Sequence, residues 1–155
     1  MKSLQKITTS KEIKKLLNKG LDINQKDKYG CTLLHYACQN SDLEIIEYLL
    51  QKGANIEIKN SYFTCYPIFE AITSTNTSNP IKTIELLLQY NVDINKTDAF
   101  GNTLLHYAVD LGNIPLIKLL KKHGLSPKKT LRKDQDTPLD YANYQKNTEI
   151  INLLL

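Results

Sequence analysis

The sequence predicts an all-α solenoid of helix-turn-helix units joined by β-hairpin-like loops. Residues 30–37 recur almost unchanged as residues 101–108, and shorter copies begin at Pro67 and Thr137. A second series of leucines runs out of phase with these copies at intervals of 33 to 38 residues: Leu16, Leu49, Leu87, Leu120 and Leu154. Self-similarity at a fixed period near 33 residues is typical of repeat architectures.

Length and composition favour one globular domain. The chain has 155 residues, of which 41% are hydrophobic and 23% charged, as in ordinary globular proteins. No apolar run is longer than three residues, so we expect no membrane span and no secretory signal peptide. Three cysteines without a C-x-x-C pair indicate reduced thiols, and therefore a cytoplasmic protein.

Each sequence repeat predicts two short helices. Thr9 and Glu12 form a capping-box pattern that opens the first helix. In the next unit, apolar residues at helical spacing predict a first helix over about residues 32–39 and a second over about residues 43–52. The second helix carries Leu, Ile and Leu on one face and glutamates on the other, which is typical of a helix half buried against neighbours.

Turn residues separate the units. Gly53 and Gly124 stand where a left-handed C-cap would end the second helix, and Asn91 replaces Gly in the third copy. Residues 27–30 and 98–101 fit hairpin turns. The pattern therefore predicts that helix pairs alternate with extended hairpin arms.

On these residues the chain resembles the ankyrin-repeat family. The pattern D-x-x-G-x-T-x-L-H-x-A is matched twice: by Asp27, Gly30, Thr32, Leu34, His35 and Ala37, and by Asp98, Gly101, Thr103, Leu105, His106 and Ala108. The resemblance covers about residues 9–155, and an unrelated α-helical repeat of similar period is the alternative. It implies one ankyrin-repeat domain over residues 1–155, divided into a partial repeat (about 1–26), full repeats (about 27–59, 60–97 and 98–131) and a cap repeat (about 132–155).

The second full repeat departs from the pattern. Phe69 replaces the histidine and Glu70 the tyrosine, so its polar network is expected to differ. Residues 73–80 form a loop enlarged by four residues, and the hairpins near 61–64 and 131–134 each carry one extra residue.

Candidate catalytic groups have structural explanations. His35 and His106 recur without a neighbouring nucleophile, and the resemblance implies that each ties its hairpin to its helix by hydrogen bonds around the motif threonine. His123 suits the carbonyl end of a helix. Because no Cys or His lies at ligand spacing and no phosphate loop occurs, we expect no metal, no cofactor and no enzymatic activity.

Two cysteines differ in the environment expected of them. Cys38 lies on the buried side of its helix and should pack as a small apolar group. Cys31 occupies a variable turn position and is expected to be exposed, with a redox role as the weaker hypothesis.

A basic cluster marks the C-terminal part of the chain. Seven cations fall within residues 118–133. They could bind nucleic acid or an acidic protein surface, but no aromatic residues interleave with them as single-strand binders require. Solubilising lysines on an outer helix face are the simpler explanation, so nucleic acid is an unlikely partner.

The resemblance implies a concave surface of hairpin tips and first helices that binds protein partners. Aromatic residues at turn tips, Tyr29, Tyr62, Phe63 and Phe100, are unusual because such positions are normally polar, and aromatic rings often anchor interfaces. The predicted partner-binding residues are Lys28, Tyr29, Cys31, Asn40, Tyr62, Phe63, Phe100, Asn102, Arg132 and Lys133.

The predicted function is therefore non-catalytic protein binding, by scaffolding or occlusion. We expect a monomer whose partner is another protein, with no contact with a membrane. Two roles remain open: an inhibitor or immunity-type protein that blocks a toxin or enzyme, and an effector or adaptor delivered into a host cell. The acidic-surface or nucleic-acid binder through the basic cluster is the third alternative.

Overall fold

The computed structural model describes residues 4, 9–61, 65–73, 80–129 and 136–155. Within these parts of the chain, every regular element longer than a single turn is an α-helix, and no residue is in a β-strand. The nine helices of the described residues are α1 (Ser10–Asn18), α2 (Leu33–Gln39), α3 (Leu43–Gln51), α4 (Pro67–Thr73), α5 (Pro80–Gln89), α6 (Leu104–Asp110), α7 (Ile114–Lys122), α8 (Pro138–Tyr144) and α9 (Thr148–Leu154). The all-α prediction is confirmed.

The helices fall into two compact units, Met1–Val92 and Asp93–Leu155. In the first unit α2 packs against α3 and α4, and α5 packs against α3 and α4. In the second unit α6 packs against α7 and α8, and α8 packs against α9. Within each unit, the first helix of a pair thus contacts the second helix of the same pair, and α2 and α6 also contact the first helix of the following pair, α4 and α8.

Side-chain caps start the helices. Thr9 accepts a hydrogen bond from the Glu12 N–H at 3.2 Å and so begins α1 as predicted. The second helices α3, α7 and α9 each begin with an Asp or Asn cap, whose short acceptor satisfies one of the N–H groups that a helix start leaves unpaired. The distances are 3.1 Å in all three: Asp42 to Ile45, Asn113 to Leu116 and Asn147 to Ile150.

The predicted helix stops are confirmed as well. Gly53, Asn91 and Gly124 follow α3, α5 and α7 with φ of 86°, 57° and 89°. This left-handed conformation turns the chain away from the helix axis, and Gly and Asn adopt it at least cost.

Leucines of the second helices form the centre of each unit. Leu49 and Leu87 are fully buried in the first unit, as are Leu120 and Leu154 in the second. Phe69, which stands where other repeats have histidine, is also fully buried and replaces polar contacts with apolar packing. The loop predicted at residues 73–80 is shorter at both ends, since Thr73 ends α4 and Pro80 begins α5. Residues 74–79 of this loop lie outside the described residues, as do residues 62–64 and 131–134 of the two enlarged hairpins.

The first two hairpin tips are packed tightly together. The Ser61 N–H donates to the Tyr29 carbonyl at 2.8 Å. Gly30, which has a φ of 76°, faces this contact: a Cβ there would collide with Ser61 Oγ and would lie 2.6 Å from Ser61 N. The tip therefore needs glycine both for its backbone conformation and for space.

Gly30 and Gly53 allow these two requirements to be separated. Both have positive φ, but a Cβ at Gly53 would meet nothing within 4 Å. Gly53→Ala should cost about 1 kcal/mol of unfolding free energy from backbone strain alone. Gly30→Ala should cost about 1–3 kcal/mol more, because the tip must move apart. Urea denaturation of both variants checks this, and equal losses would mean that the tip accommodates a methyl group without strain.

Candidate functional site

Asp27 organises the first hairpin. Its Oδ1 accepts from the N–H groups of Tyr29 at 2.8 Å and Cys31 at 3.0 Å, and its Oδ2 accepts from the Tyr36 hydroxyl at 2.6 Å. One carboxylate therefore holds the turn in shape and joins it to α2. The direction in which the tip side chains point follows from this arrangement.

Asp98 repeats the arrangement in the second unit. Its Oδ1 accepts from the N–H groups of Phe100 and Asn102, both at 2.8 Å, and its Oδ2 accepts from the Tyr107 hydroxyl at 2.7 Å. The Asn102 side chain donates to the same Oδ2 at 3.1 Å. Asp98 is only 4% exposed, so these donors replace the water that a buried carboxylate loses.

In the second full repeat, the hydrogen bond between hairpin and first helix runs in the opposite direction. Asn60 Oδ1 accepts from the Cys65 N–H at 3.0 Å, while Asn60 Nδ2 donates to Glu70 Oε1 at 2.8 Å. The helix residue is now the acceptor and the hairpin residue the donor. Burial raises the pKa of Glu70. The expectation of a different polar network in this repeat is confirmed.

The recurring histidines link neighbouring repeats. His35 Nδ1 accepts from the Thr32 N–H at 3.1 Å and lies 2.9 Å from the Thr32 hydroxyl, while Nε2 donates to the Cys65 carbonyl at 3.3 Å. His106 repeats these contacts with Thr103 at 2.9 Å and the Asp136 carbonyl at 2.9 Å. Both rings are buried. The structural role expected for them is confirmed, and each also reaches a carbonyl 30 residues further along the chain.

Burial keeps both rings neutral. It lowers the pKa of His35 to about 4 and also lowers the pKa of His106. The backbone N–H of the threonine can only donate, so Nδ1 of each ring serves as an acceptor and Nε2 carries the proton.

The aromatic tips of the two described hairpins reach solvent. Tyr29 is 40% exposed and Phe100 is 63% exposed. Lys28 is exposed beside Tyr29, with its Nζ 4.6 Å from the ring centroid. Asn40 is exposed at the end of α2, and Asn102 is half-buried against Asp98.

Four of the predicted partner-binding residues lie outside the described residues: Tyr62, Phe63, Arg132 and Lys133. Cys31 was expected to be exposed, and this expectation is wrong. Its side chain is buried, with 9% exposure, and burial raises the pKa of the thiol to about 11. Because the Asp27 carboxylate draws the Cys31 N–H into the turn, the thiol packs under the hairpin rather than projecting from it.

The structure adds surface residues that the sequence pattern did not single out. Leu111 and Tyr144 are 58% and 68% exposed. Leu111 follows α6 as Asn40 follows α2, so the alignment of repeats could have pointed to it. A groove of about 320 Å³ also lies between α6 and α8 in the second unit, lined by Asn102, His106, Tyr107, Asp110 and Tyr141.

The described part of the basic cluster is mostly exposed: Lys118, Lys122, Lys128 and Lys129 all face solvent. Lys129 Nζ donates to Asn95 Oδ1 at 3.1 Å. Lys121 is half-buried, and its ammonium group donates to the Leu153 carbonyl near the end of α9. Two cations of the cluster, Lys121 and Lys129, therefore have partners within the protein.

Among the described residues, no three His, Cys, Asp or Glu side chains are grouped as metal ligands. No helix in the same parts of the chain is long and apolar enough to cross a membrane.

Stacked helix pairs with Thr–His caps and Asp-anchored hairpins define a tandem-repeat scaffold. The family model described as Ankyrin repeats (3 copies) matches residues 4–60 and 68–155. The chain belongs to the ankyrin-repeat family, and its fold class is the all-α ankyrin-repeat solenoid. Ankyrin repeats are general protein–protein interaction modules and are typically non-catalytic.

Similar proteins come from viruses and animals. An ankyrin repeat protein of fowlpox virus, FPV014, is 32% identical over 92% of this chain and 31% of its own length. The interferon antagonist OPG040 of vaccinia virus is 34% identical over 77% of this chain and 40% of its own length. The chicken nuclear factor NF-kappa-B p105 subunit is 31% identical over 92% of this chain and 14% of its own length. The chain thus spans less than half of each of these relatives.

The neutral histidines predict a loss of stability in mild acid. An unfolded histidine titrates near pH 6.5 and folded His35 near pH 4, so the folded state binds fewer protons between these values. The His35 contribution should be complete above pH 6.5 and should fall by about 3 kcal/mol as the pH drops toward 4. His106 acts in the same direction, whereas protonation of Glu70, whose pKa is raised, partly offsets the loss.

Denaturant unfolding at a series of pH values measures this dependence. His35→Phe is the matched variant, because the second full repeat carries Phe69 at the equivalent position. Its unfolding free energy should change less steeply with pH than that of the parent protein. Identical slopes would show that His35 is not the group that titrates.

Proposed function

We propose that this chain is a non-catalytic module that binds a partner protein through its hairpin tips and the exposed sides of its first helices. The observation that carries the proposal is the exposure of two aromatic rings, Tyr29 and Phe100, at equivalent turns. The part of each ring that the fold leaves exposed can be buried by a partner, and aromatic rings commonly anchor protein interfaces.

The turns that carry these rings are preorganised. The Tyr29 N–H is bonded to Asp27 and the Phe100 N–H to Asp98, both at 2.8 Å. A rigid tip loses little conformational entropy when it binds, so more of the contact energy appears as affinity. Binding would then act by scaffolding or by occlusion of the partner, without bond chemistry.

The proposed partner-binding residues follow the sequence prediction, apart from the buried Cys31. Lys28, with its ammonium group above the Tyr29 ring, extends the first tip, and Asn40 extends the surface along α2. The complete proposed set is Lys28, Tyr29, Asn40, Tyr62, Phe63, Phe100, Asn102, Arg132 and Lys133.

Between the two candidate roles, we favour the inhibitor. The vaccinia relative is named an interferon antagonist, and a module that covers a partner's surface can block it without further domains. We therefore propose that the chain blocks a toxin or enzyme by occluding its surface, with the cytoplasm as its site of action.

A double substitution tests the tips. Tyr29→Ala with Phe100→Ala should weaken partner binding by about two decades or more, because anchor rings typically contribute about 2 kcal/mol each. Stability should change by only about 0.5 kcal/mol, as at most exposed positions. The partner is captured by crosslinking to the full chain and identified by mass spectrometry, and calorimetry then gives the Kd.

Tyr48→Ala is the control, since this half-buried ring lies on the second helix α3, away from the proposed surface. It should leave the Kd unchanged. If the control weakens binding and the tip variant does not, the partner occupies the second-helix side instead.

The exposed lysines support a second candidate function, binding of nucleic acid or an acidic protein surface. The double substitution Lys128→Glu with Lys129→Glu distinguishes binding through the tips from binding through the basic cluster. If these cations only steer an acidic partner, the reversal should slow association and reduce its salt dependence while the dissociation rate stays constant. Loss of binding at every salt concentration, together with a salt-sensitive mobility shift of duplex DNA by the parent protein, would favour the basic cluster as the binding site.

A further inference from the structure

Aromatic and acidic side chains line the groove between α6 and α8. Tyr107 and Asp110 come from α6 and Tyr141 from α8, with His106 also lining the groove. The Tyr141 ring meets the His106 ring edge to face, at 5.4 Å between centroids and 84° between planes. Since His106 is itself held at both nitrogens, the position of Tyr141 is set by a rigid neighbour.

The charge around the groove is negative. The carboxylates of Asp98, Asp136 and Asp140 lie close enough to His106 to favour its protonation, yet burial lowers its pKa and leaves it neutral. Hydrogen bonds from Thr137 lower the pKa of Asp140, so this carboxylate remains ionised at neutral pH. No cation of the groove's own lining residues offsets these charges.

The fold gives the negative charge of Asp110 little electrostatic stabilisation. It is the last residue of α6, at the end of the helix where carbonyl groups disfavour negative charge. Gln145 Nε2 reaches its Oδ1 only at 3.4 Å. Within the described parts of the chain, neither the ion pair between Lys14 and Glu44 nor that between Lys96 and Asp93 involves Asp110.

We propose that this groove receives an arginine side chain of the partner protein, an inference that rests on the proposed function. The planar guanidinium group stacks on the tyrosine rings and forms an ion pair with Asp110. Arginine suits the site better than lysine because its weakly hydrated, flat cation combines aromatic stacking with carboxylate recognition. The equivalent positions of α2 and α4 carry Gln39 and Glu70 instead of Asp110 and Tyr141, so the first unit lacks this combination.

A small probe tests the groove without the partner. N-acetyl-arginine N-methylamide is titrated into the full chain, and backbone amide shifts are followed by NMR. Saturable shifts are expected at Asn102, Tyr107, Asp110 and Tyr141, with weak affinity because one exposed ion pair and the cation–π contacts with the two rings contribute modestly. The citrulline analogue has the same shape without the charge and should bind far less.

Matched variants assign the contacts. Asp110→Asn should raise the probe's Kd about two- to fivefold, whereas Glu149→Gln, which removes the same charge from the first turn of α9, should not change it. Tyr141→Phe keeps the ring and should keep the affinity; Tyr141→Leu should lower it. Equal binding of the citrulline analogue, shifts confined to other residues, or an unchanged Kd for Asp110→Asn would each overturn the proposal.

This test is separable from that of the proposed function. The Tyr29→Ala, Phe100→Ala variant should still bind the arginine probe, because neither ring lines the groove. If the probe does not bind but the parent chain still captures a partner through the tips, the groove proposal is wrong and the proposed function stands. If the probe binds and the tip substitutions leave partner affinity intact, the proposed binding through the tips is wrong and the groove proposal stands.

Discussion

A carboxylate that leaves water must find donors for both of its oxygens, and this requirement shapes each regular repeat of the chain. Asp98 meets it with two turn N–H groups, one side-chain amide and one tyrosine hydroxyl. These donors belong to the hairpin and to α6, so satisfying the charge fixes the turn and docks it on the helix at the same time. The exposed Phe100 ring stands on a turn whose geometry is determined by a buried group.

Histidine extends the same logic from one repeat to the next. Its Nδ1 accepts a hydrogen bond that completes the cap of its own helix, and its Nε2 donates to a carbonyl of the following repeat. Contacts of this kind couple nearest neighbours, which is how repeat arrays gain stability without long-range packing. The second full repeat differs within itself: Asn60 and Glu70 exchange the roles of donor and acceptor, and Phe69, which stands in place of the histidine, is fully buried.

Much of the fold was predictable because its causes are local. The period of the leucines gave the helix pairs, and the left-handed conformations of Gly53, Asn91 and Gly124 follow from residue type. The role of His35 was predictable from the motif, although its bond to Cys65 was not, because that partner lies 30 residues away and belongs to no pattern. The exposed rings Tyr29 and Phe100 were predictable as departures from the polarity expected of turn tips.

The sequence by itself determined the family, the helix starts and stops, and the tips that carry aromatic rings, since each depends on residues within one repeat. Only the tertiary structure decided which of the variable positions face solvent. Cys31 occupies a turn that looks exposed in sequence, but the hydrogen bond from its N–H to Asp27 places the thiol inside. Likewise, the groove at Asp110 exists only because α6 and α8 pack together and bring Tyr107 and Tyr141 to one surface. Residue spacing along the chain cannot reveal such contacts, because they join side chains of different repeats.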